Sequence, residues 1–413
     1  MQAARQLGAA ATAPPAKKLK VLIFEPYFFK VYGNTRYLIT LFQHVDRERY
    51  EPVLVTPFED EFLDRIRELG GRCIVVPAPE RLRQYGGMLT GGGPAQHALT
   101  GLSLLRYTAK LAAVIKKESA DLLHCNNLRS LLTIGPAAKL TGRPCVWYIK
   151  GDLESPALDR LGFSLARTIV YQTETNKRLK YPDLVESHHE KIRILANGID
   201  LEEIETAAKR DHSELEQEIG LTPESFNVVY VGQIYPLKGL THLIDAMARV
   251  QAVLPDTHLY LVGDSGVSAY STHQAELEDR IRELGVTNVH FLGWRRDAHA
   301  IASVMDLLVL PSLSEGVPKS VMEGMALGKP VVATTVGGTA EIVAHGETGL
   351  LVAPGDANGL ASAISLMGQN RNQREQFGAR GRTVARARFD IQRNIAGLER
   401  LWERTRNHGT EGC

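Results

Sequence analysis

Two glutamates stand eight positions apart in the segment LSEGVPKSVMEGMALGKPVVAT, which runs from Leu313 to Thr334. Glu315 precedes a predicted helix, next to Gly316, and Glu323 lies about five residues inside that helix. Pro318 suits the first turn of the helix, where its missing N–H would have had no partner. The free N–H groups of such a helix start, together with the helix dipole, favour a bound phosphate.

The two carboxylates are expected to serve different parts of a ligand at this helix start. Carboxylates repel phosphates, so their useful partners are hydroxyl donors. Glu315 can reach the hydroxyls of the group that the phosphate carries. Glu323 lies roughly 7 Å further along the helix axis, given a rise of about 1.5 Å per residue. The pattern predicts a sugar, a diphosphate and a ribose bound in sequence across one helix start.

A cation is predicted at a neighbouring strand end. Lys238 lies six residues beyond Gly232, which ends the run VVYVG, in a turn that contains proline and glycine. Its ammonium group would neutralise the charge that develops on a departing diphosphate. Gly263 and Gly293 end two further predicted strands, where the backbone can approach a nucleotide closely.

Short β-branched apolar runs recur along the chain and are separated by helix-like segments. One series begins with KVLIF at residue 20 and a second with FNVVYVG at residue 226. Runs without polar alternation are typical of strands covered on both faces, as in parallel sheets. Ligands of such sheets bind beyond the carboxyl ends of the strands. We therefore predict an α/β protein with two doubly wound domains.

The predicted domains follow the change from strand-like to polar helical sequence near residue 205. They are a flexible tail over 1–19, a first domain over 20–204, a second domain over 205–390 and a C-terminal helix over 391–413. That last helix could cross back to the first domain. A chain of 413 residues exceeds what one hydrophobic core usually serves, which agrees with two domains.

Composition and charge exclude several classes of protein. The net charge of +1 gives no overall field to attract nucleic acid, and 44% hydrophobic with 23% charged residues is typical of a folded globular chain. The four cysteines show no C-x-x-C spacing, which favours a reducing cytoplasm. The N-terminal sequence lacks a secretion signal and no apolar run is long enough to cross a bilayer, so any contact with the inner membrane is expected to be peripheral.

These motifs together resemble the retaining glycosyltransferases of the large E-x7-E family, known as glycosyltransferase family 4 or glycosyl transferases group 1. The family context E-G-F-P-x-S-x-x-E-A-M-A-x-G-x-P-V-V is matched by EGVPKSVMEGMALGKPVV, and VGGTAEIVAHGETGLLVAPGD resembles its G-G-x-x-E-I-V block. Further matches are VGQIYPLKG, LVGDSG, VHFLGW and ANGID, with weaker ones in VYGNTR and DLLHCNN. The resemblance extends over most of residues 20–405.

The resemblance implies a GT-B fold, in which two Rossmann-like domains face a cleft. The second domain would hold a UDP- or GDP-sugar, and the first would hold a saccharide or lipid-linked acceptor. Glu315 would contact the donor sugar, Glu323 the ribose and Lys238 the diphosphate. The implied enzyme transfers the sugar to a hydroxyl with retention of configuration and without a metal or other cofactor, in the synthesis of cell-envelope polysaccharide, lipopolysaccharide or glycolipid.

The resemblance assigns the remaining candidate residues to the two sides of the cleft. Those on the donor side are Gly232, Gln233, Gly263, Gly293, Gly316, Val317 and Pro318. Those on the acceptor side are Gly33, Asn34, Lys150 and Gly151.

Two departures from the family pattern leave alternatives open. Gln233 replaces a phosphate-binding arginine of the family, so a neutral amide stands where a charge-assisted contact is expected. Lys150 stands at or near the position of a family histidine; a lysine can bind phosphate or an acidic acceptor but cannot copy a neutral imidazole. These departures leave open a non-catalytic nucleotide-sugar-binding partner of another transferase. A nucleotide-sugar epimerase, which shares the fold, is a further alternative.

Two further interpretations concern the first half. An NAD-dependent dehydrogenase would need G-x-G-x-x-G after the first strand, and VLIFEPYFFKVYGN does not contain it. His124, at the end of an apolar run, is predicted to be a core histidine with its hydrogen bonds satisfied.

Overall fold

Two parallel β-sheets form the framework of the protein. The structure, a computed structural model, describes residues 17–26, 33–82, 94–150, 155–179, 181–222, 224–265 and 272–407. The strands of the first sheet are β1 (Leu19–Phe24), β2 (Tyr50–Thr56), β3 (Arg72–Val75), β4 (Leu122–Cys125), β5 (Cys145–Tyr148), β6 (Thr168–Tyr171) and β7 (Ile192–Ile194). The strands of the second are β8 (Phe226–Val231), β9 (Thr257–Val262), β10 (Val289–Gly293), β11 (Leu307–Leu310), β12 (Val331–Thr334) and β13 (Gly349–Val352).

Helices fill the intervals between the strands. In the first half they are α1 (Gly33–His44), α2 (Glu61–Glu68), α3 (Pro94–Glu118), α4 (Leu128–Leu140), α5 (Pro156–Leu165), α6 (Glu174–Leu179) and α7 (Pro182–Ser187). Then follow α8 (Leu201–Ala208), α9 (Ser213–Glu218), α10 (Leu240–Val253), α11 (His273–Leu284), α12 (Ala298–Val304), α13 (Lys319–Ala326), α14 (Thr339–Ile342), α15 (Ala357–Gln369), α16 (Arg371–Arg388) and α17 (Ile391–Asn407). Short 3-10 helices are Glu80–Leu82, His189–Lys191 and Pro236–Lys238.

Both sheets have the doubly wound strand order that the sequence predicts. The first runs β3-β2-β1-β4-β5-β6-β7 and the second β10-β9-β8-β11-β12-β13. The order reverses between β1 and β4 in one sheet and between β8 and β11 in the other. A crevice opens at each reversal, beyond the carboxyl ends of the two strands, and this is where ligands of such sheets bind.

The apolar runs form strands because both of their faces are buried. In β5, Cys145 and Trp147 belong to one core, and Val146 and Tyr148 belong to the core on the opposite face. Successive strand side chains point to opposite faces, so a strand between two cores has no polar alternation. The prediction of an α/β fold with two doubly wound sheets is confirmed.

The last helix, α17, lies on the first sheet although it follows the second. Ile391, Ile395, Leu398 and Trp402 are buried in the core that contains β1 and β2. The link between the two sheets includes α8, and the predicted boundary at residue 205 falls inside that helix. Strand β1 begins one residue before the predicted start of the first domain at residue 20.

Helix α3, with 25 residues, carries a partly apolar outer face. Leu99, Leu102 and Leu105 on it are exposed. None of the helices that the structure describes is long and apolar enough to span a bilayer.

Candidate active site

Lys238 and Glu315 meet at the strand-order reversal of the second sheet. Lys238 follows β8 and Glu315 follows β11, and the Lys238 Nζ lies 2.6 Å from the Glu315 Oε1, with the side chains only 16% and 10% exposed. The Leu313 N–H donates to the Leu237 carbonyl at 2.8 Å, which joins the two turns. The structure thus brings together the cation and the first carboxylate that the sequence predicts.

Lys238 is positioned by a turn that requires glycine. The 3-10 helix Pro236–Lys238 ends at Gly239, whose φ is +65°. A Cβ at Gly239 would collide with the Pro311 carbonyl oxygen. The chain can therefore turn towards β11 at this point because residue 239 has no side chain.

The Glu315 carboxylate is held by a buried serine as well as by Lys238. Ser312 Oγ donates to Glu315 Oε1 at 2.7 Å. The Ser312 carbonyl in turn accepts from Thr334 Oγ1 at 2.5 Å. Both contacts to the carboxylate fall on Oε1, so its orientation is set before any ligand arrives.

The backbone after Glu315 is arranged with its N–H groups available. The Gly316 carbonyl accepts from the Gly338 N–H at 2.8 Å and from Asn176 Nδ2 at 3.2 Å. Among the described residues, no backbone carbonyl accepts from the N–H groups of Glu315, Gly316 or Val317. Such N–H groups beside a helix start are suited to bind an anion.

Helix α13 begins one residue later than the sequence suggests. Pro318 is its N-cap, with an extended backbone at ψ 107°, and does not lie inside the first turn. Glu323 is the fifth residue of the helix, as predicted. Glu315 therefore precedes the start of α13, and Glu323 lies one helical turn after that start.

Glu323 is largely buried, with 14% of its side chain exposed. Burial alone would raise the pKa of its carboxyl, but a hydrogen bond and the charge of His299, together with the charges of Arg36 and Lys319, lower it to about 2. His299 Nε2 lies 3.5 Å from Glu323 Oε1, and His299 Nδ1 lies 3.7 Å from Glu203 Oε1. A cavity of about 480 Å³ opens beside His299. Glu323 can therefore accept hydrogen bonds from hydroxyl groups at any pH near neutral.

The three predicted strand-end glycines adjoin one another. The Gly263 N–H donates to the Gly293 carbonyl at 2.8 Å. Gly263 has a φ of +144°, and a Cβ there would collide with the Gly232 carbonyl oxygen. The Gln233 carbonyl accepts from Tyr230 Oη at 2.7 Å. These backbones close one edge of the crevice.

Lys150 faces this crevice from the first half. It follows β5, and its carbonyl oxygen lies 3.3 Å from the point where a Cβ on Gly316 would stand. Its Nζ is buried, has no hydrogen-bond partner among the residues that the structure describes, and lies over the Tyr37 ring and 4.5 Å from the Tyr148 ring centroid. Burial holds the pKa of this ammonium group well below its usual range; the charge of Lys319 adds to the effect.

The other acceptor-side candidates are described only in part. Gly33 and Asn34 are the first two residues of α1, at the strand-order reversal of the first sheet. Gly151 lies outside the described residues.

His124 is a core histidine, as predicted. It is fully buried, its Nε2 lies 3.0 Å from Asn126 Oδ1, and Trp402 Nε1 donates to its Nδ1 at 3.4 Å. Burial lowers the pKa of His124 to about 3, so the ring is neutral near pH 7.

A further contact joins the two halves beside the site. Glu341, in the second half, accepts hydrogen bonds from the N–H groups of Glu174 at 3.2 Å and Thr175 at 2.5 Å. These N–H groups open α6 in the first half, where an acidic partner stabilises the helix. Glu341 therefore has a structural role, and it acts across the cleft.

Sequence reasoning missed four residues of the site, namely Ser312, His299, Lys319 and Tyr37. Lys319 stands inside the motif EGVPKS, and its place at the helix start could have marked it. No sequence pattern marks His299, because its contact with Glu323 arises where α12 and α13 meet.

Two Rossmann-like halves with a polar crevice between them define a GT-B protein, and this is the fold of nucleotide-sugar-dependent glycosyltransferases. Profiles of two protein families agree with that class: "Glycosyl transferases group 1" matches residues 225–370 and "Glycosyltransferase Family 4" matches residues 31–203. The chain belongs to this family of glycosyltransferases.

Individual relatives are distant. A UDP-Gal:alpha-D-GlcNAc-diphosphoundecaprenol alpha-1,3-galactosyltransferase of Escherichia coli is 25% identical over 62% of this chain and 68% of that protein. The lipopolysaccharide core biosynthesis glycosyltransferase LpsD of Rhizobium meliloti is 33% identical over 40% of this chain and 46% of that protein. The crystal structure of Anabaena HepE in complex with UDP and glucose is similar with a TM-score of 0.76 and 23% identity, over 93% of this chain and 99% of that one. The structural likeness supports the fold.

Proposed function

We propose that this glycosyltransferase moves a sugar from a uridine diphosphate sugar to a hydroxyl group of its acceptor, with retention of anomeric configuration. The observation that carries the proposal is the contact of Lys238 with Glu315 at 2.6 Å, beside the available N–H groups of Gly316 and Val317. A cation, a carboxylate and free N–H groups within one crevice match a sugar joined to a phosphate.

Each group has a part in binding the donor. The N–H groups of Gly316 and Val317 donate to phosphate oxygens, and Glu315 accepts from hydroxyls of the sugar. Glu323, one turn further along α13, accepts from the ribose hydroxyls. Strand-end glycines let the backbone approach the nucleotide.

The reaction breaks the bond between the anomeric carbon and the diphosphate oxygen and forms a bond from that carbon to the acceptor oxygen. Lys238 stabilises the negative charge that develops on the departing diphosphate. The acceptor hydroxyl gives its proton to that departing oxygen. Because the Lys238 ammonium group stabilises the charge on the departing diphosphate, we propose that the transfer needs no divalent metal.

The choice of uridine rests on the relatives. The Escherichia coli protein is named for UDP-Gal, and the Anabaena structure holds UDP and glucose. The named roles of the Escherichia coli and Rhizobium proteins also support an acceptor of the cell envelope. We propose a saccharide or lipid-linked saccharide as the acceptor.

A lipid-linked acceptor would bring the protein to the inner membrane surface. The exposed Leu99, Leu102 and Leu105 of α3 supply an apolar face for peripheral contact, and Arg106 and Lys110 follow on the same helix. Sedimentation with anionic vesicles at low salt tests this contact. Replacing the three leucines with glutamine should abolish sedimentation, and a wild-type protein that stays in the supernatant would contradict it.

The transfer itself is tested by incubating the purified protein with a panel of UDP- and GDP-sugars and envelope acceptors. We expect transfer from a UDP-sugar and a product with the anomeric configuration of the donor. Gln233, which is neutral, favours a second candidate, a nucleotide-sugar-binding partner without activity of its own. Donor binding with neither transfer nor hydrolysis would favour that candidate.

A further inference from the structure

Among the described residues, the positively charged side chains of the donor crevice differ in whether a carboxylate already neutralises them. Lys238 Nζ already lies 2.6 Å from the Glu315 carboxylate. Gln233, which stands where the family has a phosphate-binding arginine, is neutral. A donor diphosphate brings negative charge on each phosphate into a crevice that also holds Glu315 and Glu323. Lys238 alone therefore leaves that charge undercompensated.

Lys150 supplies a buried ammonium group on the first half, with its backbone at the crevice. Its carbonyl oxygen lies 3.3 Å from the position of a Cβ on Gly316, so its backbone stands across the cleft from the N–H groups proposed to bind phosphate. Its Nζ is buried against the Tyr37 and Tyr148 rings and has no hydrogen-bond partner within the described part of the chain. A buried ammonium group in this condition is costly unless an anion joins it.

Lys319 supplies a second ammonium group from the donor side. It is the first residue of α13 and precedes Glu323 by one helical turn. It lies three residues after Gly316, whose Cβ position faces the Lys150 carbonyl oxygen, so α13 begins beside Lys150. Its partly buried charge adds to the lowering of the Lys150 pKa. Like charges that face each other across a cleft favour an anion between them.

We propose that Lys150 and Lys319 bind the diphosphate of the donor from opposite sides of the cleft and supply the positive charge that Gln233 does not. Lys150 comes from the first half and Lys319 from the second, so groups of both halves would contact the diphosphate. This inference rests on the proposed function, because it requires a nucleoside diphosphate donor.

Calorimetric titration with UDP and with uridine tests the inference. Lys150→Met and Lys319→Met should each weaken UDP binding by about 10-fold or more, the usual effect of removing one charge-assisted hydrogen bond. Uridine, which lacks the diphosphate, should bind both variants as it binds the wild type. The dependence of UDP affinity on salt should also be shallower in each variant.

Three controls keep the outcome clear. Lys139→Met removes a charge from an exposed position on α4 and should leave UDP binding unchanged. Lys150→Arg keeps the charge and should restore part of the affinity. Thermal unfolding of each variant establishes that it is folded before titration.

The outcomes separate the inference from the proposed function. If the wild type binds no nucleoside diphosphate, the proposed function fails. If the wild type binds UDP and the folded Lys150→Met and Lys319→Met variants bind it equally well, the inference is wrong. Loss of uridine and UDP binding in equal measure would also overturn it, because the lysines would then act on the nucleoside or on the fold.

Discussion

Lys238 Nζ and Glu315 Oε1 lie 2.6 Å apart, although 77 positions separate the two residues in the chain. The pair links the turn after β8 to the turn after β11, across the strand-order reversal. Before a donor binds, each charge holds the other in place. When a donor binds, Lys238 must also serve the diphosphate, so the pair couples binding of the sugar to stabilisation of the leaving group.

The first prediction concerns this pair. Lys238→Met should lower kcat by about 100- to 1,000-fold, the usual effect of removing one group that stabilises transition-state charge. Glu315→Gln should lower kcat as well, because the sugar loses its charged acceptor and Lys238 loses its partner. Initial rates with a saturating UDP-sugar measure both effects. Unchanged rates in folded variants would exclude the pair from the reaction, and Lys238→Arg should retain more activity than Lys238→Met.

The second prediction concerns the ribose. Glu323→Gln should weaken UDP binding by about 10-fold, since a carboxylate is a stronger acceptor than an amide. The variant should also lose the ability to distinguish UDP from its 2′,3′-dideoxy analogue. Calorimetry with both ligands gives the comparison, and His299→Gln, which leaves the carboxylate in place, should have the smaller effect. Full discrimination by Glu323→Gln would place the ribose elsewhere.

The third prediction concerns pH. His124 has a pKa of about 3 in the folded protein and 6.5 as its ordinary value, so below pH 6.5 the unfolded chain binds a proton that the folded protein excludes. The stability associated with neutral His124 is complete above pH 6.5 and is lost as the pH falls toward 3, at about 2 kcal/mol between pH 7 and pH 5.

Urea unfolding at pH 7 and pH 5 measures that loss. His124→Gln should lose less stability between the two pH values than the wild type, because glutamine does not titrate. His189→Gln, at an exposed position, should keep the wild-type dependence. Equal pH dependence of the wild type and His124→Gln would show that His124 is not held neutral by the fold.

The fourth prediction concerns the strand-end glycines. Gly263→Ala should destabilise the protein strongly and weaken nucleotide binding, because its Cβ would meet the Gly232 carbonyl at a φ of +144°. Gly285→Ala is the matched control: its φ is +64° and nothing lies within 4 Å of a Cβ, so it should cost only about 1 kcal/mol. Thermal unfolding compares the two, and equal losses would contradict the crowding at Gly263.

The sequence predicted the sheets well because their strands are buried on both faces. Cys145–Tyr148 has no polar alternation, and that feature alone identifies a strand between two cores. The helix behind Glu315 was placed to within one residue by its proline and by the spacing to Glu323. Residue types that are close together in the chain determine these features, so they can be predicted from a single sequence.

Contacts between distant segments could not be predicted in the same way. Ser312 was missed because its role depends on how the turn after β11 folds back on Glu315. His299 was missed because α12 and α13 come together only in the tertiary structure. The partnership of Glu341 with the start of α6 requires the two halves to be placed against each other, which no local pattern specifies.

The backbone after Glu315 and the start of α13 are proposed to bind the donor, and a crystal structure of the protein with bound UDP would show whether they do. We predict phosphate oxygens on the N–H groups of Gly316 and Val317 and within reach of Lys238, with the ribose hydroxyls on Glu323. A nucleotide bound away from this crevice, with Glu323 still paired with His299 and no ribose hydroxyl on it, would overturn the proposed donor site.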